Sequence, residues 1–516
     1  MYKIGIDVGG TNTDAVLCDR DQTILAEVKC PTTRDVTEGI LEALRRVLAV
    51  SGVDPTRVTQ AMLGTTQCTN AIVERKELAP FAVLRIGAPA TTGIPPMLDW
   101  AEDLRRFCVA EAVIPGGFEY DGRQLAPLDR AACRQFFESV RGRAEAVAIS
   151  CVFSTVRNDH EREAAAIARE VLGPEVPVSV SSEIGDLGLI ERENATILNA
   201  ALHRVARRFT RGFAESLRRE GVTNAELYLS QNDGTLMTLE HAEKYPILTI
   251  ACGPTNSIRG AGWLSDCREG VIVDVGGTTT DLGVLRKGFP RESGAASFIG
   301  GVRTNFRMPD ILSIGLGGGS IVRQRPDGRI TVGPDSVGYA ITERALVFGG
   351  DTLTVSDVAV RLGMAEMGDP ERVQSIELDF ARQVMAVVRE MVEDALDAMK
   401  TSAGDVDVIL VGGGSVILPE TLDGAGKVLR PDHFGVANAV GGAISKVSGS
   451  FEGLFDYEKV RREEALAQAR TRAVEQAVQA GALPETVEIV DLEEVPLAYH
   501  PGRTSRVKVK AAGDLI

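Results

Sequence analysis

An octapeptide occurs twice in this chain: residues 7–14 read DVGGTNTD and residues 274–281 read DVGGTTTD, 267 positions apart and identical at seven of eight places. Each copy follows an apolar run (2–6 and 271–273) and precedes another (15–18 and 282–285), the pattern of strand, Gly-Gly turn and strand. The glycines let the backbone approach an anion closely, and the Thr and Asn side chains add donors. The leading aspartate stands where it can hold a magnesium ion through water. Two such hairpins facing one another would grasp a nucleotide from both sides.

Bulk properties narrow the class. A chain of 516 residues exceeds one core and predicts two to four domains. The hydrophobic share of 44% and charged share of 25% are those of a soluble globular protein. A net charge of −16 without a basic stripe excludes a nucleic-acid binder. Apolar stretches such as 147–153 and 406–411 have core-strand length, far below the roughly 20 residues of a membrane span. The first residues begin a strand at once, so no signal peptide is expected. Cys18, Cys30, Cys68, Cys108, Cys133, Cys151, Cys252 and Cys267 form no Cys-x-x-Cys pair, which predicts reduced thiols and a cytoplasmic protein, not a zinc or iron–sulfur site.

Strands are expected near 3–8, 13–18 and 23–29, a helix near 37–51, a strand near 60–65 and a helix opening at about Thr69. That order is the one of a ribonuclease-H-like half. A Pro-, Gly- and Thr-rich stretch from Pro80 to about Pro127 predicts an irregular insertion. Strand and helix alternate again over 146–153, 159–172 and 176–181. Residues 193–220 read as a linking helix with a solvated, Arg-rich face. Strand-like 225–231, 247–252 and 270–275 lead into the second octapeptide. A Gly-rich insertion to about Gly350, helices near 354–362 and 377–400, and a strand at 406–411 follow. Beyond Phe451 come a charged helix (458–480) and a β-rich end (487–510). The expected fold is α/β, with two ribonuclease-H-like lobes, insertions and a small C-terminal extension. The expected divisions are residues 1–185 with an insertion near 80–140, 186–450, and 451–516.

In the octapeptides, Asp7 and Asp274 are the candidate catalytic and magnesium-holding residues. Gly9, Gly10, Gly276 and Gly277 offer backbone N–H groups to phosphates, while Thr11, Asn12, Thr13, Thr278, Thr279 and Thr280 supply hydroxyl and amide donors. A buried strand runs into Gly412, Gly413, Gly414 and Ser415, a loop on which a purine and ribose can lie; the competing reading is a tight turn into a helix. Asp310 precedes Gly317, Gly318 and Gly319, either an anion nest, a substrate-facing loop or a flexible insertion. Thr65, Thr66 and Asn70 sit where a strand enters a helix whose N-terminus would face substrate or phosphate, with a simple cap at Thr69 as the plainer alternative. The histidines 160, 203, 241, 433 and 500 have no metal-ligand spacing, and His160 stands at a helix start. No nucleophile elbow, Walker lysine loop or His-Glu-x-x-His helix is present.

The paired loops and glycine-rich strand end resemble the actin, heat-shock chaperone and sugar-kinase ATPase superfamily. Within it, Gly64-Thr-Thr-x-x-Thr-Asn-Ala71, the stretch 146–161 ending in His-Glu, Val180-Ser-Ser-Glu183, Glu191-Arg192 with Thr196-Ile-Leu-Asn199, Gly253-Pro254 and residues 314–320 look like the hydantoinase A and 5-oxoprolinase family. The resemblance runs over about residues 2–445. It implies ATP-dependent hydrolysis of a cyclic amide whose oxygen is phosphorylated, ring opening being completed by a B-type subunit or domain. Related members use the same activation to carboxylate ketones. Two departures stand out: Ser230-Gln-Asn-Asp-Gly234 where the family has Ser-Asn-Gly-Gly, and Cys252-Gly-Pro-Thr255 where it has Ser-Gly-Pro-Ala.

The expectation is therefore an ATP-dependent amidohydrolase component that binds ATP and Mg²⁺ between two lobes and phosphorylates a cyclic-amide or carbonyl oxygen. A small-molecule substrate, a B-like partner and homo- or hetero-oligomers are expected, without nucleic acid or membrane. Asp14 and Asp281 can act as bases or brace their turns. A sugar-type kinase and a partner-regulated actin-like ATPase are the rival readings. The former needs an aspartate base near a hydroxyl.

Overall fold

Strand β1 (Tyr2–Val8) turns back into β2 (Asn12–Asp19), and β3 (Ile24–Pro31) completes an antiparallel meander. The computed structural model describes residues 2–32, 36–185, 187–293, 297–306, 308–400, 402–497 and 502–515; His500 and part of the expected β-rich end lie outside them. Both faces of β1 are covered, which is why its sequence is nearly continuous in apolar residues. Helix α1 (Val36–Ser51) buries Ile40, Ala43, Leu44, Val47 and Leu48, one stripe at helical spacing. It returns the chain to β4 (Val58–Thr65), parallel to β1, and α2 (Gln67–Glu74) leaves from the end of β4.

The stretch expected to be irregular from Pro80 is instead half of an ordered sheet. Strand β5 (Phe81–Ala88), short helix α3 (Glu102–Arg105), β6 (Cys108–Pro115), α4 (Arg130–Val140), β7 (Ala146–Cys151), α5 (Asp159–Leu172) and β8 (Val178–Val180) build a parallel sheet in the order β6-β5-β7-β8. Proline, glycine and threonine are concentrated in the connections, and they masked two short apolar strands.

Helix α6 (Leu189–Arg219) carries the solvated, Arg-rich face expected of residues 193–220, with Arg204, Arg208, Arg211, Arg218 and Arg219 exposed. Its first half, by contrast, is buried almost without interruption, including Arg192, Glu193, Asn194, Thr196, Asn199 and His203. Those polar groups are tolerated because each meets a partner. Arg85, fully buried on β5, donates through Nε to Glu193 at 2.7 Å, and Ser150 Oγ donates to the same carboxylate at 2.6 Å.

After β9 (Glu226–Ser230), β10 (Leu236–Thr238) and α7 (Leu239–Lys244), the segment expected as a strand over 247–252 is a 3₁₀ turn, Pro246–Thr249, running into helix α8 (Cys252–Leu264). Pro246 sets the turn, and Ala251, with φ of 66°, breaks any extended run. A short apolar segment does not by itself separate strand from buried turn.

Strands β11 (Gly270–Val275) and β12 (Thr280–Arg286) form the second octapeptide's hairpin. Then follow β13 (Phe289–Pro290), the hairpin β14 (Ser297–Ile299) and β15 (Val302–Thr304), β16 (Ile311–Ile314), and the hairpin β17 (Ser320–Gln324) and β18 (Ile330–Ser336). Helices α9 (Ile341–Arg344), α10 (Val355–Arg361) and α11 (Leu378–Met399) precede β19 (Val406–Val411) and β20 (Ala425–Leu429). Helix α12 (Ala437–Ala443) leads to β21 (Val447–Asp456), α13 (Arg462–Gln479), β22 (Glu488–Pro496) and β23 (Thr504–Gly513).

Two sheets dominate this mixed α/β fold. The nine-stranded one runs β22-β23-β21-β10-β9-β4-β1-β2-β3, and the six-stranded one β13-β12-β11-β19-β20, with β16 beside β12. Each places a Gly-Gly hairpin next to a parallel strand: β2-β1-β4 and β12-β11-β19. The last strands, β21 to β23, extend the first sheet, so that sheet gathers segments from both ends of the chain. Helices α8 and α12 lie between the sheets with backbones in contact. A Cβ on Gly260 would stand 1.8 Å from the Ala437 carbonyl oxygen, and one on Gly441 would stand 1.9 Å from that of Asn256. Among the described residues, no helix is long and apolar enough to cross a membrane.

Candidate active site

The two octapeptides close with the same bond. Gly9 N–H donates to the Asn12 carbonyl at 2.9 Å, and Gly276 N–H donates to that of Thr279 at 2.9 Å. The turns face one another: a Cβ on Gly277 would stand 3.3 Å from Thr11 Oγ1. Gly10 has nothing within 4 Å of its open side. Thr11, Asn12, Thr278 and Thr279 remain at least partly accessible. Thr13 and Thr280 do not fit the expectation that they donate to phosphate. Both are fully buried; Thr13 Oγ1 pairs with Thr32 Oγ1 at 3.2 Å, and Thr280 Oγ1 donates to the Leu316 carbonyl at 2.8 Å. Strand alternation turns them away from the face their neighbours present.

Asp7 and Asp274 occupy equivalent places, each lying over a glycine of the adjacent parallel strand or its end. A Cβ on Gly64 would come within 2.2 Å of Asp7 Oδ1, and one on Gly412 within 2.2 Å of Asp274 Oδ1. Asp7 accepts from Asn256 Nδ2 at 3.3 Å and Asn438 Nδ2 at 2.9 Å; Asp274 accepts from the Ser257 hydroxyl. Burial pushes Asp7 up to about 7, with the charge of Asp14 adding, the Asn256 amide opposing and Asp274 adding further. Burial likewise pushes Asp274 up to about 6, with the Ser257 hydroxyl opposing and Asp281 adding. Asp14 and Asp281 face them across their hairpins. Asp14 is held by Lys29, whose Nζ lies 2.6 and 2.8 Å from its two oxygens, and Asp281 accepts from Ser313.

These partners, Ser313 on β16 included, escaped the sequence reading. Asn256 and Ser257 follow Gly253-Pro254 on α8, and Asn438 is the one polar side chain in the sequence ANAVGGA of α12. A lone amide in a helix of small apolar residues was the available signal. Lys29 stands opposite Asp14 in the β2–β3 register, a relation visible only once the meander is paired.

The remaining loops divide. Gly412, Gly413, Gly414 and Ser415 end β19 beside the second turn, with Gly414 N–H donating to the Val275 carbonyl at 2.8 Å. Gly413 is exposed, and the buried Ser415 Oγ has no protein partner. Gly317, Gly318 and Gly319 correct the anion-nest expectation. Gly318 and Gly319 N–H groups donate to the carbonyls of Gly276 and Gly277 at 3.1 and 2.8 Å, and Gly317 N–H to Ser320 Oγ at 2.9 Å. Their donors are engaged in bracing the second turn. Asp310 pairs with Arg291 at 2.8 Å from Nε, an ion pair within the insertion. Thr65 is buried against Cys252, Thr66 is the residue before α2, and Asn70 is exposed one turn into that helix. A cavity of about 810 Å³ lies elsewhere, between β13, the start of α6 and the β22–β23 hairpin, where Phe289, Arg303 and Lys508 line it. It shares no residue with the paired turns.

Residues 3–172 match the family model described as the hydantoinase/oxoprolinase N-terminal region, and residues 192–366 match the model described as hydantoinase/oxoprolinase. The chain belongs to the hydantoinase/oxoprolinase family. It is 27% identical over 388 residues to the caprolactamase subunit alpha of Pseudomonas jessenii, covering 70% of this chain and 54% of that one. To the acetophenone carboxylase gamma subunit of Aromatoleum aromaticum it is 27% identical over 401 residues, covering 70% and 53%. The chain thus spans little more than half the length of these curated relatives. The crystal structure of the ATP-dependent caprolactamase from Pseudomonas jessenii superimposes with a TM-score of 0.78 at 21% identity, over 100% of this chain and 88% of that one. Nucleotide-free acetone carboxylase gives 0.72 at 18% identity, over 99% and 88%. The fold is shared with both.

Several of the residues that carry the likeness to the hydantoinase/oxoprolinase family meet at the first half of α6. Glu161 accepts from Ser181 Oγ at 2.5 Å and Ser182 N–H at 2.9 Å, Arg192 donates to Ser181 Oγ at 3.0 Å and the Cys151 carbonyl at 2.9 Å, and Asn199 donates to Ser179 Oγ at 3.0 Å. Segments scattered through the sequence thus join the four-stranded sheet to α6 in one buried polar network. His160, the neighbour of Glu161 on α5, is engaged separately: its Nδ1 accepts from Gly117 N–H at 3.0 Å.

Proposed function

We propose that the two sheets belong to ribonuclease-H-like lobes of an actin-like ATPase and that MgATP lies between the paired turns, with Asp7 and Asp274 flanking its phosphates. The facing of Gly277 and Thr11 carries this reading, because it turns a sequence repeat into a single two-sided cradle. The residues suit the ligand. Gly10 and Gly413 leave open backbone, Ser415 Oγ is a buried polar group awaiting a partner, and the carboxylates are hard oxygen donors of the kind magnesium takes. Magnesium would be held by Asp7 and Asp274 through water, and when bound it neutralises phosphate charge. Asn256, Asn438 and Ser257 keep the two carboxylates oriented, and closure around the cradle excludes water from the transferring phosphoryl group.

The acceptor we propose is the oxygen of a cyclic amide or related carbonyl compound, which makes the chain an ATP-dependent hydrolase component of hydantoinase/oxoprolinase type. For a cyclic amide, phosphorylation of that oxygen activates the carbonyl carbon, so water adds there, the ring C–N bond breaks with the nitrogen leaving as an amine, and hydrolysis of the acyl phosphate releases carboxylate and phosphate. Relatives named as subunits of caprolactamase and acetophenone carboxylase support an activated carbonyl and a B-like partner that completes the reaction. The test is ADP release from MgATP by the purified chain with hydantoins, lactams, 5-oxoproline, ketones and sugars, alone and with a co-expressed B-like subunit. Stimulation by a cyclic amide or ketone is expected. Stimulation by sugars alone would replace this reading with that of a sugar-type kinase.

A further inference from the structure

We propose that Lys29 is a positioning residue for the phosphate chain of the nucleotide, an ammonium supplied by the first half to the glycine loop of the second. The proposal rests on the MgATP reading above. Cross-strand pairing sets Lys29 opposite Asp14, and both oxygens of Asp14 hold Nζ, at 2.6 and 2.8 Å. The Asp14 side chain is 4% exposed whereas that of Lys29 is 35% exposed, so the stem runs from a buried carboxylate out to an open side. That side is shared with Gly413: the Lys29 Cε carbon is the atom nearest its open face, 3.9 Å from where a Cβ would stand. Residues on β3 and on the loop after β19, one from each sheet, are thereby brought together.

An ammonium has three N–H donors, and Asp14 takes two. The third is available to an anion beside Gly413, and a compact point charge on a flexible stem suits a phosphate oxygen. The alternative is that Lys29 does no more than neutralise Asp14. The two differ in a double substitution. If Lys29 only balances Asp14, removing both charges restores everything that removing Lys29 lost. If Lys29 contacts phosphate, stability returns and phosphate affinity does not.

The experiment is calorimetric titration of MgATP, MgADP and AMP into the full chain and into Lys29→Met, Lys29→Arg, Asp14→Asn and the double variant Asp14→Asn/Lys29→Met, with Tm measured for each. Lys29→Met is expected to weaken MgATP by about tenfold to a hundredfold while leaving AMP unchanged. Lys29→Arg should keep part of the affinity, and the double variant should regain Tm yet stay weak for MgATP. Native-like MgATP affinity in Lys29→Met, or full recovery in the double variant, overturns the role of Lys29 alone. Absence of MgATP binding by the native chain overturns the site itself.

Discussion

Asn438 donates its side-chain amide to Asp7 at 2.9 Å, across 431 positions of sequence. The carboxylate comes from the first hairpin, but α12 and α8, which touch through Gly260 and Gly441, hold its two oxygens. Motion of these helices therefore acts directly on the acid that flanks the proposed phosphates.

That contact predicts a pH effect. Asn438 stabilises the ionised form of Asp7, so Asn438→Leu pushes Asp7 further up from about 7. The acidic limb of kcat/KM for MgATP turnover should move to higher pH, with turnover falling on the order of tenfold near neutrality. An unmoved limb would separate Asp7 from the reaction.

Gly64 and Gly412 predict a matched pair of defects. A Cβ at either place meets a carboxylate oxygen at 2.2 Å, and Gly412 also has φ of 83°. Gly64→Ala should cost about 1–3 kcal/mol of stability by overpacking, and Gly412→Ala somewhat more through backbone strain. Both should lose MgATP affinity disproportionately, as read by Tm and titration on the same samples.

Stability should fall as pH rises. Burial raises Asp7 from 3.8 to about 7 and Asp274 from 3.8 to about 6, so the folded chain keeps protons that the unfolded chain has released in that window. Folding is favoured below the lower value relative to above the upper one, by about 1–4 kcal/mol for Asp7 alone. Urea midpoints measured from about pH 5 to pH 8 should decline, and Asp7→Asn should flatten the decline. The buried Asn256 Oδ1, unpartnered in this structure, can accept from the new amide after a flip.

How much of this was legible beforehand depends on the length scale of the signal. The hairpins at 7–14 and 274–281 were readable because a repeated local pattern needs no tertiary context. Irregular structure at 80–127 was wrong because composition averages over β5, β6 and their loops. The Arg-rich solvated face of α6 was legible, whereas the burial of its first half was not, because Glu193 finds its partner Arg85 only in three dimensions. Asn256 and Lys29 were missed for the same reason: nothing local distinguishes an amide or an ammonium that will meet a carboxylate from another segment, and for Asn438 the local signal was only its place as a lone amide among the small apolar residues of α12.

The Arg85–Glu193 pair gives a structural prediction independent of nucleotide. Arg85→Met leaves a buried carboxylate facing an apolar side chain and should cost about 3–5 kcal/mol, while Arg85→Met with Glu193→Leu should recover much of it. Urea denaturation of the single and double variants measures the difference. Equal losses in both would mean that packing of α6, not charge pairing, sets stability there.

The central claim is that the two octapeptide turns form one phosphate cradle. A crystal structure of this chain with magnesium and a non-hydrolysable ATP analogue tests it most directly. The expected result places the β- and γ-phosphates between the Gly9–Gly10 and Gly276–Gly277 turns, with the cation near Asp7 and Asp274. A nucleotide bound elsewhere, as in the cavity beside Phe289 and Lys508, or contacting one turn only, would contradict it.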